Sequence, residues 1–129
     1  MMGYYFTKEL NISFDDAIAK VTEELKKEGF GILTDIDVKA TLKKKLDVDF
    51  RPYRILGACN PPFAFQALQT EDKIGTMLPC NVVVQEKTPG KVEVTSIDPV
   101  ASMAAVNNPN LKTIGEQVRA KLKRVIDNL

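Results

Sequence analysis

The chain contains two cysteines, and each is followed directly by an asparagine, at Cys59-Asn60 and Cys80-Asn81. A thiolate is a strong nucleophile and a ligand for soft metals, and an amide offers both a hydrogen-bond donor and an acceptor. The repeated pair therefore marks a candidate site for a small ligand, a sulfur species or a soft metal ion. The residue types leave open which of these it binds, and whether any metal or cofactor is used.

Cys59 precedes a predicted helix that begins with Pro61 and Pro62. Backbone N–H groups and the helix dipole favour a thiolate at such a position, which predicts an activated Cys59. The alternative is a small buried apolar side chain at the end of a strand, because cysteine is among the most frequently buried residue types. Asn60 is predicted to cap the same helix.

Asn81 is predicted near the start of a strand, where asparagine is disfavoured. Its amide needs specific partners if it is buried, so we weigh a polar anchor in the site against a bracket for a neighbouring loop. Arg54 and Asp35 extend the candidate site, since a guanidinium group can hold an anion and a carboxylate can act as a base. Their alternative use is a salt bridge or a helix cap.

Histidine is absent from the sequence. Its absence removes Ser-His and Cys-His catalytic pairs, the usual zinc ligands and the commonest proton shuttle near neutral pH. An enzyme with Cys59 as its nucleophile would need a carboxylate such as Asp35 as its base, which is unusual for cysteine chemistry. We therefore expect a role without catalysis.

Length and composition predict one globular domain over residues 1–129, with 44% hydrophobic and 27% charged residues. The net charge of +1 argues against a nucleic-acid partner. No apolar run approaches the roughly 18 residues that a membrane span needs, and Met1 to Phe6 lacks the basic start of a signal peptide. A cytoplasmic location with reduced cysteines is expected.

Hydrophobic periodicity predicts five strands, at about 4–10, 30–38, 50–59, 80–87 and 91–97, and two long amphipathic helices, at about 14–28 and 109–129. Ser13 and Asp37 are predicted to cap the helices that follow them, and short helices are predicted after Asp37, Asn60 and Asp98. The pattern favours an α+β fold, with a mostly antiparallel five-stranded sheet and helices packed on one face. An antiparallel third and fourth strand would bring Cys59 and Cys80 to one end of the sheet, whereas a parallel crossover would separate them.

Five segments resemble a known family: Gly29–Val38, Ala40–Leu42, Arg54–Pro61, Leu78–Val84 and Asp98-Pro99. Together they are similar to the bacterial and archaeal domain-of-unknown-function family numbered 302. The resemblance implies a β-α-β4-α fold like half of a TATA-binding protein, a homodimer, and an antiparallel third and fourth strand with an added helix between them. It implies no activity, and likeness to a DNA-binding fold is no evidence of DNA binding.

The predicted function is a cytoplasmic, homodimeric binding or sensing module with its site at the two Cys-Asn steps. The alternative is a structural or partner-binding dimer in which these motifs brace the sheet. A cysteine-dependent enzyme is the third hypothesis.

Overall fold

The computed structural model describes residues 3–129, which form an α+β fold around one antiparallel sheet in the order β1-β5-β4-β3-β2. Its strands are β1 (Tyr5–Leu10), β2 (Gly31–Asp37), β3 (Tyr53–Cys59), β4 (Cys80–Thr88) and β5 (Lys91–Ile97). The helices are α1 (Phe14–Lys27), α2 (Val38–Leu46), α3 (Pro61–Thr70), α4 (Pro99–Ser102) and α5 (Pro109–Asp127), with a 3₁₀ turn at Ile74–Met77. The predicted fold class is confirmed.

The hydrophobic core lies between one face of the sheet and the two long helices, α1 and α5. Both helices carry an apolar stripe at the spacing of an amphipathic helix, and alternate valines of β4 and β5 meet these stripes. The fully buried side chains include Val21, Leu25, Val82, Val84, Val92, Val94, Leu122 and Val125. Within residues 3–129, no helix is both long and apolar enough to span a membrane.

The predicted caps fix where two of the helices begin. Ser13 Oγ accepts a hydrogen bond from the backbone N–H of Asp16, 3.1 Å away, at the start of α1. Asp37 Oδ1 accepts from the N–H of Ala40, 2.9 Å away, at the start of α2. After α1 the chain turns through Gly29, whose φ of +87° favours glycine over any residue with a Cβ.

Strand β2 contains a bulge that strict alternation did not predict. Ile32 pairs with Ala58 and Ile36 with Ile55, and the register shifts between Ile32 and Thr34. The alternating pattern of residues 30–38 predicts Ile32 and Ile36 on one face of the sheet, and this is wrong because the pairing places them on opposite faces. A bulge adds one unpaired residue, here Leu33, and every later side chain changes face.

Strands β3 and β4 are antiparallel, with Ala58 opposite Cys80 and Gly57 opposite Asn81. Helix α3 and the 3₁₀ turn occupy the connection between them. Cys59 and Cys80 therefore lie at the same end of the sheet, as the antiparallel alternative predicted. This end of the sheet holds the candidate site.

Candidate functional site

A cavity of about 340 Å³ lies at the end of the sheet, where β3 and β4 meet α3 and α5. Three of the predicted site residues, Cys59, Asn60 and Cys80, contribute to its wall. The remaining wall is almost entirely apolar, and the two helices supply much of it through Phe63, Ala64, Ala67, Leu68, Ile114 and Val118. Both cysteines therefore line the same hydrophobic cavity, which the sequence had not predicted.

Helix α3 explains why the cavity wall is apolar and open to solvent. The helix carries no charged side chain, and Phe65 and Leu68 are 63% and 44% exposed on it. Leu33, the bulged residue of β2, is 69% exposed and lines the cavity with Leu68. The uncharged sequence of a surface helix was the signal that could have located this site.

Cys80 is a buried thiol in the wall of the cavity, with 8% of its surface exposed. Burial, with a smaller contribution from the nearby Cys59, raises the pKa of Cys80 to about 11. The thiol is therefore protonated at neutral pH. Cys59 is only partly buried, and both sulfurs are free rather than joined in a disulfide.

Asn60 occupies the N-cap position of α3, but its side chain makes no capping hydrogen bond. Instead, Nδ2 donates to the backbone carbonyl oxygen of Glu28, 3.0 Å away. The predicted N-cap position is confirmed, but the side chain bonds the end of α1 rather than the first turn of α3, where Pro62 removes the N2 donor and only the N–H of Phe63 at N3 remains.

Asn81 lies outside the cavity, on the other face of the sheet from Cys80. Its side chain is exposed, and it lines a separate, smaller opening with Pro79 and Ile97. Consecutive strand residues point to opposite faces, which is why the second Cys-Asn step divides between two surfaces. The structure therefore does not bring Asn81 together with Asn60.

Arg54 and Asp35 form an ion pair on adjacent strands and do not line the cavity. Arg54 Nε donates to Asp35 Oδ1 over 2.7 Å, and the second nitrogen of the guanidinium bonds the other carboxylate oxygen. This hydrogen bonding lowers the pKa of Asp35 and raises that of Arg54. The contacts agree with the salt-bridge alternative for these two residues.

Two cysteines and one asparagine are among the residues that line the cavity. Among residues 3–129, no group of three or more His, Cys, Asp or Glu residues is arranged to hold a metal ion. The chemistry that the wall offers is therefore hydrophobic contact, polarisable sulfur and the amide of Asn60.

The fold and this site define an α+β protein with an open antiparallel sheet and a ligand-sized apolar cavity at one end. The family model for "Domain of unknown function DUF302" matches residues 6–129, so the chain belongs to that family. The crystal structure of an uncharacterized conserved DUF302 protein from Bacillus stearothermophilus is similar, with 30% sequence identity, 96% of each chain covered and a TM-score of 0.88. No curated protein matches the chain.

Proposed function

We propose that this chain is a small-ligand-binding module whose ligand occupies the cavity at the Cys59 end of the sheet. One observation carries the proposal: a single cavity of about 340 Å³ brings Cys59, Asn60 and Cys80 into one apolar wall. Ligand pockets commonly fall between roughly 300 and 1,000 Å³ and combine apolar walls with a few polar groups. The cavity meets both criteria.

The apolar wall favours a neutral, mainly hydrophobic ligand over a small polar molecule. A charged or strongly polar molecule would lose its hydration there without gaining matching hydrogen bonds, at a cost of several kcal/mol. A hydrophobic molecule gains about 25 cal/mol for each Å² of apolar surface removed from water. The exposed rim at Leu33 and Leu68 gives such a molecule an apolar entrance.

The burial of Cys80 argues against a soft metal as the main ligand. Metal binding requires thiolates, and the pKa of about 11 at Cys80 reflects an environment that disfavours its charged form. Under the proposal, the two sulfurs are polarisable groups that contact the ligand, with Cys59 the more accessible. The proposal includes a cytoplasmic location, because thiols stay reduced there.

Filling the cavity with a larger side chain tests the proposal. Ala64 lies in the cavity wall, so Ala64→Phe places a ring in the ligand's space. Ala19 is exposed on α1, and Ala19→Phe is the matched control. Saturation-transfer NMR with 2-methylnaphthalene as the probe should show binding to the wild-type protein and the control, and none to Ala64→Phe. Equal binding by all three proteins, or binding by none, overturns the proposal.

The outer face of the sheet favours a second function, the assembly of two copies through that face. Ile36, Ile55 and Val83 are register partners across three strands, and Ile36 is 48% exposed. A row of apolar side chains on a sheet face is typical of a protein interface. Light scattering should find a wild-type dimer that Val83→Lys converts to a monomer, while Thr113→Lys on the exposed side of α5 leaves it intact. A monomeric wild-type protein would reject this assembly.

A further inference from the structure

The orientation of the Asn60 amide is fixed by the bond that its nitrogen makes. Nδ2 lies 3.0 Å from the backbone carbonyl oxygen of Glu28, and a carbonyl oxygen can only accept a hydrogen bond. The opposite amide orientation would place two acceptors against each other. The nitrogen therefore faces Glu28, and the oxygen Oδ1 is the amide atom that can still accept a hydrogen bond.

This oxygen has no hydrogen-bond partner within residues 3–129. Asn60 is more than nine-tenths buried, with 8% of its surface exposed, and it lines the cavity. In the described part of the chain, no fully buried side-chain nitrogen or oxygen lacks a partner, so Oδ1 is not sealed inside the protein. Because Oδ1 is accessible and has no protein partner, a hydrogen-bond donor on a bound molecule can pair with it.

We propose that the ligand is a neutral, mainly apolar molecule with one hydroxyl or N–H group that donates a hydrogen bond to Asn60 Oδ1. This inference rests on the proposed ligand-binding function. Besides Asn60, the side chains around the cavity are apolar groups and two thiols, which make weak hydrogen bonds. One strong acceptor in a hydrophobic wall selects a ligand with one donor and a hydrophobic body. The same hydrogen bond fixes the orientation of the bound ligand.

The cavity volume sets the size of the ligand. A cavity of about 150 Å³ holds one benzene molecule, so a volume of about 340 Å³ accommodates on the order of a dozen non-hydrogen atoms. A bicyclic aromatic alcohol and a medium-chain aliphatic alcohol both fit this limit. Larger molecules would have to extend past the rim at Leu33 and Leu68 into solvent.

Three naphthalene probes of nearly equal size test the inference on the wild-type protein. 2-Naphthol carries a hydrogen-bond donor, 2-methoxynaphthalene carries only an acceptor, and 2-methylnaphthalene carries neither. Titration should give a Kd for 2-naphthol about fivefold lower than for the other two, the factor expected from one net hydrogen bond. 2-Methoxynaphthalene should bind no better than 2-methylnaphthalene, because Oδ1 cannot donate.

The outcomes separate this inference from the function on which it rests. If all three probes bind equally and Ala64→Phe abolishes their binding, the donor inference is wrong while the cavity function holds. If no probe binds, both are overturned. Asn60→Leu should remove the preference for 2-naphthol in a protein that still binds 2-methylnaphthalene, and a preference that persists would overturn the role of Asn60. If Asn60→Leu does not fold, the comparison of the three probes on the wild-type protein decides the question.

Discussion

The side chain of Asn60 joins the end of helix α1 to the junction between β3 and α3. Its Nδ2 donates to the carbonyl oxygen of Glu28, the residue that follows the last turn of α1. Gly29, the next residue, packs so closely that a Cβ there would lie 3.1 Å from Asn60 Nδ2. One amide thus ties the end of β3 to the end of α1 beside the cavity.

Removal of this amide should lower the stability of the fold. Asn60→Ala breaks the bond to Glu28 and leaves a partly buried carbonyl without its partner, so the free energy of unfolding should fall by about 1–3 kcal/mol. Asn107→Ala, at an exposed position, should change it by less than about 0.5 kcal/mol. Urea denaturation measures both values. An unchanged midpoint for Asn60→Ala would show that the bond to Glu28 does not stabilise the protein.

Gly57 should tolerate no larger residue, because two side chains lie over it. A Cβ at this position would stand 2.6 Å from the ring of Pro79 and would also overlap the hydroxyl of Thr34. Gly57→Ala should therefore cost about 1–3 kcal/mol of unfolding free energy. Gly31→Ala on the adjacent strand is the matched control, since no atom lies within 4 Å of its Cβ. Thermal denaturation of the two variants should separate them, and equal melting temperatures would refute the packing argument.

The two thiols should react with an alkylating reagent at very different rates. The pKa of Cys80 is raised from 9.0 to about 11, which makes its thiolate fraction at neutral pH about 100-fold lower than that of an ordinary thiol. Burial slows its reaction further. In single-cysteine variants at pH 8, Cys59 in the Cys80→Ser protein should therefore be labelled much faster than Cys80 in the Cys59→Ser protein. Mass spectrometry follows both reactions, and equal rates would contradict the buried position of Cys80.

The ion pair of Arg54 and Asp35 should stabilise the fold at neutral pH and lose its effect in acid. Its hydrogen bonds hold the pKa of Asp35 below the ordinary value of 3.8, so the stabilisation is complete above about pH 4 and disappears as the pH falls through the lowered pKa. Because the carboxylate is 38% exposed, we expect Asp35→Asn to cost only about 0.5–1 kcal/mol at pH 7. Denaturation midpoints of the variant and the wild type should converge as the pH falls below the lowered pKa of Asp35. If the difference in midpoint between Asp35→Asn and the wild type does not change with pH, this ion pair is not the source of that difference.

Periodicity and turn chemistry predicted most of the fold. Ser13 and Asp37 cap the helices that the sequence assigned to them, and β5 runs from Lys91 to Ile97 as predicted. The bulge at Leu33 was not predicted, because the position of an extra residue in β2 is determined by its pairing with β3. That pairing is a contact between segments distant in the sequence.

The site was only partly predictable for the same reason. Cys59, Asn60 and Cys80 were identified from their residue types, and the antiparallel pairing of β3 and β4 does bring them to one end of the sheet. The alternation of side chains along a strand sends Asn81 to the other face, which the dipeptide pattern does not reveal. The apolar wall depends on the packing of α3 beside α5, and no local pattern specifies that contact.

The most direct test of the ligand-binding function is a crystal structure of the protein grown with 2-naphthol. The account predicts the ring system inside the cavity between α3 and α5, with its hydroxyl oxygen about 2.7–2.8 Å from Asn60 Oδ1. A ring inside the cavity with its hydroxyl turned away from Asn60 would reject the donor inference alone. An empty cavity, or 2-naphthol bound only on another surface, would contradict the central claim.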